Sequence, residues 1–333
     1  MPLRDDRRVA LSDERAPTIE VELREAILSW YDRAARDLPF RRTRDPYAIL
    51  VSEAMAQQTQ AVRAGDAWTG FMERFPTVEL LAAATPADVL RAWQGLGYNR
   101  RALNLWRAAR RIVEVHGGQV PSDLAALEDL PGVGPYTARA VAAFAFGMPV
   151  GAGDTNVRRV LGRIVAGDPD AMSAAALQRA ADAAVPDDRP GSWTHALMDL
   201  GATVCGSRVP RCGSCPARPW CRFATSGSDS RHPFPPARSR TPAAKAGMTN
   251  RAKPQPFPAT SRWLRGQIVH QLGSYASGDW VAIEAPIGSH DNRAVEAALR
   301  ALAREGLVEL RDGRNEGSEP RAGKPWLARL SLV

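Results

Sequence analysis

Lysine is nearly missing from this 333-residue chain: Lys245, Lys253 and Lys324 are the three lysines among 44 basic residues, and no lysine precedes position 245. A Walker A phosphate loop is thereby excluded, because its lysine must be followed by Ser or Thr and none of the three is. ATP-driven chemistry of that kind goes with it. Over the first 244 residues no side-chain amine is present to form a Schiff base. Long apolar runs are missing too. The weakly polar stretch 140–153 is too short to cross a bilayer and is broken by Pro149 and three glycines. The N-terminus is charged from Arg4 onward, with no apolar stretch of signal-peptide length. A cytoplasmic protein with no membrane association is expected. Cysteine is scarce, four residues in all, every one between 205 and 221. In a reducing compartment such a cluster reads as metal ligands rather than disulfides.

What is present describes a soluble globular protein of about two domains. The formal charge of +8 points to an anionic partner, nucleic acid ahead of a membrane surface. After a solvated arm over 1–20, apolar residues recur at helical spacing from Val21 to Phe223, punctuated by Pro and Gly. Helices are expected at about 22–35, 47–60, 62–74, 77–82, 86–93, 99–116, 123–128, 135–146, 155–165, 173–184 and 192–202. A Ser-, Pro-, Arg- and Gly-rich linker occupies 224–259. The tail, 260–333, shows a helix at 262–272, a short segment at 281–285, a helix at 292–304 and two alternating strands at 306–311 and 326–330. That order predicts a small winged-helix-like α/β domain on a mainly α protein, its helix 292–304 carrying Arg293, Arg300 and Arg304 as a DNA-reading helix would. A small α/β cap with a solvated basic face is the alternative.

The cysteines follow the spacing Cys205-x6-Cys212-x2-Cys215-x5-Cys221. Four thiolates suit zinc or a 4Fe-4S cluster, although only the central pair has the close spacing usual for zinc. Arg208, Arg211, Arg218 and Arg222 are interleaved with them, either to bind phosphates or to offset the charge of the bound metal. Leu130-Pro-Gly-Val-Gly-Pro-Tyr-Thr137 is a glycine-punctuated turn between helical stretches. In a helix-hairpin-helix, Gly132 and Gly134, on either side of Val133, permit close backbone approach and the amides opening the next helix point at an anion. Glu53 is the one charged residue between Asp45 and Arg63. Apolar surroundings favour a carboxyl's neutral, proton-bearing form, the state of a general acid, whereas an exposed helix face is its ordinary place. Asp154, before Thr-Asn-Val-Arg-Arg, is a natural helix N-cap that can also face a ligand. Paired acids are what glycosidic cleavage needs, one to protonate the leaving group and one to stabilise an oxocarbenium-like centre.

Residues 22–222 resemble the catalytic region of MutY-type, A/G-specific adenine DNA glycosylases of the endonuclease III (helix-hairpin-helix) superfamily. The motifs that carry the resemblance are Leu38-Pro-Phe-Arg41, Ser52-Glu-Ala-Met-Ala-Gln-Gln-Thr-Gln60, Arg74-Phe-Pro-Thr77, Gly95-Leu-Gly-Tyr98, His116-Gly-Gly118, Leu130-Pro-Gly-Val-Gly134, Asp154-Thr-Asn-Val157, Ala196-Leu-Met-Asp-Leu-Gly201 and the cysteine loop. The resemblance implies a 4Fe-4S cluster on the four cysteines, with Arg208 and Arg211 on a phosphate-binding loop. It implies Glu53 as the acid protonating adenine and Asp154 as the carboxylate facing the sugar cation. It places Gln57, Gln58 and Tyr98 where the family wedges the duplex and supports a flipped base, and Thr137 on the phosphate-gripping hairpin. Tyr136 falls where bifunctional members carry a Schiff-base lysine, which implies monofunctional hydrolysis leaving an abasic site.

The implied partner is double-stranded DNA holding a mismatched or damaged base, and the expected state is a monomer. The chain departs from the family pattern at Ala56, Asn99 and Thr155, and its tail is too short for the Nudix-like domain such enzymes usually carry. Excision of thymine from G·T pairs is the enzymatic alternative. A non-catalytic iron-sulfur DNA-binding protein is the alternative from another class.

Overall fold

The structure, a computed structural model, describes residues 19–168, 170, 172–225, 256–311 and 326–332. The predicted arm (1–20) and linker (224–259) lie mostly outside the described residues. Among those described, the helices are α1 (Val21–Ala34), α2 (Pro46–Ala56), α3 (Ala61–Arg74), α4 (Val78–Ala83), α5 (Pro86–Ala92), α6 (Arg100–His116), α7 (Leu124–Glu128), α8 (Pro135–Ala145), α9 (Thr155–Ala166), α10 (Ala174–Ala184), α11 (Pro190–Thr203), α12 (Arg222–Thr225), α13 (Ser261–Gly273) and α14 (Asn292–Arg304). Three strands, β1 (Val281–Ile283), β2 (Val308–Arg311) and β3 (Trp326–Leu330), form one antiparallel sheet in the order β1-β3-β2. The mainly helical expectation holds.

The chain folds as two compact units, each assembled from two separate stretches. The described residues up to Arg36 join those of Gly147–Ser239, while Asp37–Phe146 join the C-terminal segment. In the first unit α9 is central, packing on α10, α11 and α12, and α1 packs on α11. Arg36 ties the end of α1 to α11 by donating its backbone N–H and its Nε to the fully buried carboxylate of Asp199, at 2.9 and 2.6 Å.

In the second unit α2 is the core helix. Tyr47 to Met55 are all buried, so the helix is covered on every side, by α3, α6 and α8 among others. Pro46 occupies its first position and Asp45 caps it, accepting from the Tyr47 N–H at 3.0 Å. Expected to reach residue 60, α2 ends at Ala56 instead, because Gln58 turns into the left-handed region (φ 55°). The freed carbonyls of the last turn find partners in the Arg101 guanidinium, described below.

The C-terminal segment has the helix, strand, helix, two-strand order expected of a winged-helix-like fold, and α14 and β3 keep their expected bounds. Residues at the predicted linker's edges are ordered into α12 and a short 3-10 turn, Phe257–Ala259. Within this unit α13 packs on α14, β3 and α5. Arg91 of α5 donates to the carbonyls of Gly273 (3.3 Å) and Tyr275 (2.9 Å), receiving the end of α13. At Gly273 a Cβ would meet the tip of the Gln94 side chain, which would have to swing aside.

Candidate active site and nucleic-acid interface

Glu53 sits within α2 and is 7% exposed. Its backbone carbonyl accepts from the Gln57 N–H at 3.2 Å, so the carboxylate-bearing residue and the turn that follows share one helical end. The exposed helix face, the ordinary place for a glutamate, is not where this one lies.

That turn is built with the hairpin and the Gly95–Tyr98 loop. Gln57 donates to the Thr137 hydroxyl at 3.3 Å, and both line a small pocket with Gly132 and Val133. Gly132 has φ 82°, and a Cβ there would stand 2.7 Å from that of Asn104, so the hairpin requires glycine for two reasons. Gly134 precedes α8, and Pro135 is its first residue, where the missing N–H costs nothing. Tyr136 follows on the first turn, half-buried.

Arg101, on α6, joins these pieces. One of its terminal nitrogens donates to the carbonyls of Ala54 and Met55 at 3.0 Å each and to that of Gln57. The other donates to Thr59 Oγ1 (3.2 Å) and to the carbonyls of Leu96 (3.3 Å) and Gly97 (3.2 Å). The guanidinium also lies 5.4 Å from the Trp93 ring centre and 5.5 Å from that of Tyr98. Burial pulls its pKa below the ordinary value. The two turns it holds contain Gln58 (φ 55°) and Tyr98 (φ 48°), the two non-glycine residues with positive φ among those described. Such conformations cost about 1–3 kcal/mol each and persist only where the surroundings enforce them.

In the first unit Asp154 is the N-cap of α9, as its position in the sequence suggests. Its Oδ1 accepts from the Val157 N–H at 2.7 Å and its Oδ2 from the Asn156 side-chain amide at 3.0 Å. Asn156 in turn accepts from Arg159 at 2.8 Å, and Arg159 donates to the carbonyls of Cys205 (2.8 Å) and Gly201 (2.7 Å). Gly201 must be glycine here, since a Cβ would come within 2.6 Å of Asn156. The carboxylate is thus connected by hydrogen bonds to the start of the cysteine loop.

Cys205, Cys212, Cys215 and Cys221 all line one pocket, together with Arg163, Arg218 and Phe223. Among the described residues no group of three or more His, Cys, Asp or Glu is drawn tightly enough for a single metal ion. Four thiols lining one pocket are, in their chemistry, the donor set of a 4Fe-4S cluster. Burial pushes the Cys215 thiol up to about 11 and raises those of Cys212 and Cys221. Arg163, 6% exposed, supplies compensating charge, donating to Cys205 Sγ at 3.2 Å and to the carbonyls of Gly206 (2.8 Å) and Ser207 (3.1 Å). Arg208 and Arg211 stand exposed on the loop, and Arg211 donates to the Thr203 carbonyl.

Sequence reading missed Arg101, Asn156, Arg159 and Arg163. In a chain this rich in arginine, no local pattern separates a buried guanidinium from a solvated one. The usable signal was spacing on α9: Arg159 and Arg163 lie four apart on a helix that begins after Asp154. On α14, Arg300 pairs with Glu296 at 2.6 Å and lies over the Trp326 ring, while Arg293 and Arg304 are exposed.

Residues 51–185 match the family model of the HhH-GPD superfamily base excision DNA repair protein. The adenine DNA glycosylase of Mycolicibacterium smegmatis is 42% identical over 303 residues, spanning 90% of this chain and 97% of that protein. The adenine DNA glycosylase of Mycobacterium tuberculosis is 43% identical over 250 residues, covering 74% of this chain and 77% of its own length. Among solved structures, a thermostable thymine-DNA glycosylase superposes with a TM-score of 0.58 at 31% identity, covering 61% of this chain and 95% of that one.

Proposed function

This chain belongs to the HhH-GPD superfamily of base excision DNA repair proteins, and within it to the adenine DNA glycosylases; from that premise we propose that it hydrolyses the N-glycosidic bond of adenine mispaired with 8-oxoguanine or guanine. The observation that carries the reading is Glu53, a carboxylate buried in α2 at the head of the strained Gln57–Gln58 turn. In this role Glu53 gives a proton to adenine as the bond to the sugar breaks, and the electron pair of that bond leaves with the base. Asp154, oriented by the Val157 N–H and Asn156, faces the positive charge that develops on the sugar. Water then adds to the sugar carbon and gives up a proton to the Glu53 carboxylate, restoring the acid, and an abasic site remains.

A stacked base does not expose this bond, so the nucleotide must leave the duplex first. In this reading Tyr98 and the Gln57–Gln58 turn open it, and Gly132, Val133, Gly134 and Thr137 hold the flanking phosphate. Tyr136 stands where a lyase would need an amine, so borohydride should trap little protein–DNA adduct and strand scission should await added base or heat. Cys205, Cys212, Cys215 and Cys221 would hold a 4Fe-4S cluster, which when bound staples the loop carrying Arg208 and Arg211. Purified protein should contain about four iron atoms per chain. No described helix is long and apolar enough to cross a membrane.

Single-turnover assays across A·8-oxoguanine, A·G, A·C and T·G duplexes test the assignment. Adenine release with little thymine release is expected. Thymine release from T·G would instead favour the reading suggested by the likeness to the thymine-DNA glycosylase structure, and no release from any duplex would leave a DNA-binding protein.

A further inference from the structure

Tyr98 is 40% exposed in the loop that leads into α6, and its conformation is set from two directions. Arg101 lies against it from α6. From the C-terminal segment Arg262, in the first turn of α13, donates a hydrogen bond to the Tyr98 hydroxyl and lies 4.7 Å from its ring centre. The same guanidinium lies 5.1 Å from the ring centre of Phe257, which is 54% exposed. Trp263 stacks on His290 at 5.9 Å, fixing the turn that carries Arg262. The position is held at the far end of α13 as well, where Arg91 takes the Gly273 and Tyr275 carbonyls. A ring, a guanidinium and a second ring therefore stand side by side on the surface, two of them supplied by a segment with no catalytic candidate.

We infer that Phe257 and Arg262 extend the Tyr98 wedge, so that the C-terminal segment takes part in opening the mismatched duplex. The inference rests on the reading of Tyr98 as the wedge. Its chemistry is that of unpaired nucleobases, which stack on aromatic faces and on guanidinium planes. Arg262 holds the phenol ring in place against the displaced base pair, and Phe257 offers the adjoining face to a base left without its partner. This assigns the segment's DNA contact to the turn before α13 and its first residues, away from α14.

The test uses the full chain and a duplex with 2-aminopurine beside the target adenine, whose fluorescence rises on unstacking. Tyr98→Ala should reduce both unstacking and mismatch affinity about tenfold, the effect of losing one stacked base. Arg262→Ala should reduce them about two- to fivefold, the range of an exposed cation–π contact, and Phe257→Ala should act in the same direction. In the Tyr98→Ala background, Arg262→Ala should add little, because its effect passes through the phenol ring. The Arg262→Ala loss should narrow when adenine faces an abasic site and no pair has to be broken. A full Tyr98 effect with wild-type behaviour in both Arg262→Ala and Phe257→Ala would overturn the inference alone. An inert Tyr98→Ala would overturn the wedge reading and the inference with it. Should Arg262→Ala lower the melting temperature, Phe257→Ala and Arg262→Gln carry the decision.

Discussion

The two units set their carboxylates in different surroundings. Glu53 lies on a helix buried on every side, with α3, α6 and α8 closing around it. Asp154 is placed by hydrogen bonds at a helix start, and these continue through Asn156 and Arg159 to the loop of the four cysteines. Arginine serves both units as the clasp. Arg101 gathers two turns in one, and Arg163 the cysteine loop in the other.

The sharpest break of this comparison is at the acids. Glu53→Gln removes the proton donor and should slow single-turnover adenine release by about 10²–10⁴-fold while mismatch binding persists. Substantial residual release would deny Glu53 its role. Asp154→Asn should be comparably slow yet fold normally, because Asn also caps helices; Asp154→Ala should lose roughly a further 1 kcal/mol of stability, read as a lower melting temperature.

Next come the clasps. Arg101→Met leaves buried carbonyls without a donor, at about 1–3 kcal/mol for each that water cannot reach. It should impair DNA binding with iron content unchanged. Arg163→Met should do the reverse, lowering retained iron and cluster absorbance before it touches the Tyr98 loop. If each variant damaged both properties equally, the two sites would not be separately built. The smallest effect is expected at Gly132→Ala, where a positive φ and the Asn104 contact together should cost roughly 1–3 kcal/mol. Its signature is weaker duplex binding with a shallower salt dependence, the loss of a phosphate contact.

Most helices were legible because Pro, Gly and capping side chains punctuate them: Pro46, Pro86, Pro135 and Pro190 each open one, and Asp154 and Asp291 cap two more. Where a boundary depended on a distant residue, sequence reading overshot. The end of α2 is set by Arg101, 45 positions beyond Ala56 in the chain, and nothing in Gln-Gln-Thr-Gln announces it. Of the site, the residues carrying chemistry stood out as isolated types in the wrong surroundings, a lone glutamate in an apolar helix and four cysteines in a cysteine-poor chain. The residues that hold them in place did not, since Arg101, Arg159 and Arg163 differ from their exposed namesakes only in what the fold brings to them.

Each unit's two-stretch construction also dictates an order of events during synthesis. Arg36 leaves the ribosome long before its partner Asp199, 163 positions later, so α1 must wait for α11 to be made. The second unit can close its helices around α2 early, but Tyr98 gains Arg262 only once the final quarter of the polypeptide has emerged. Nascent chains stalled ahead of α11 would therefore contain α1 with its apolar face, Leu23, Ile27 and Leu28, uncovered for chaperones to shield. Contacts this distant in sequence slow folding relative to local ones, and the maturing protein should acquire its two clasps at separate times, Arg101 before Arg163.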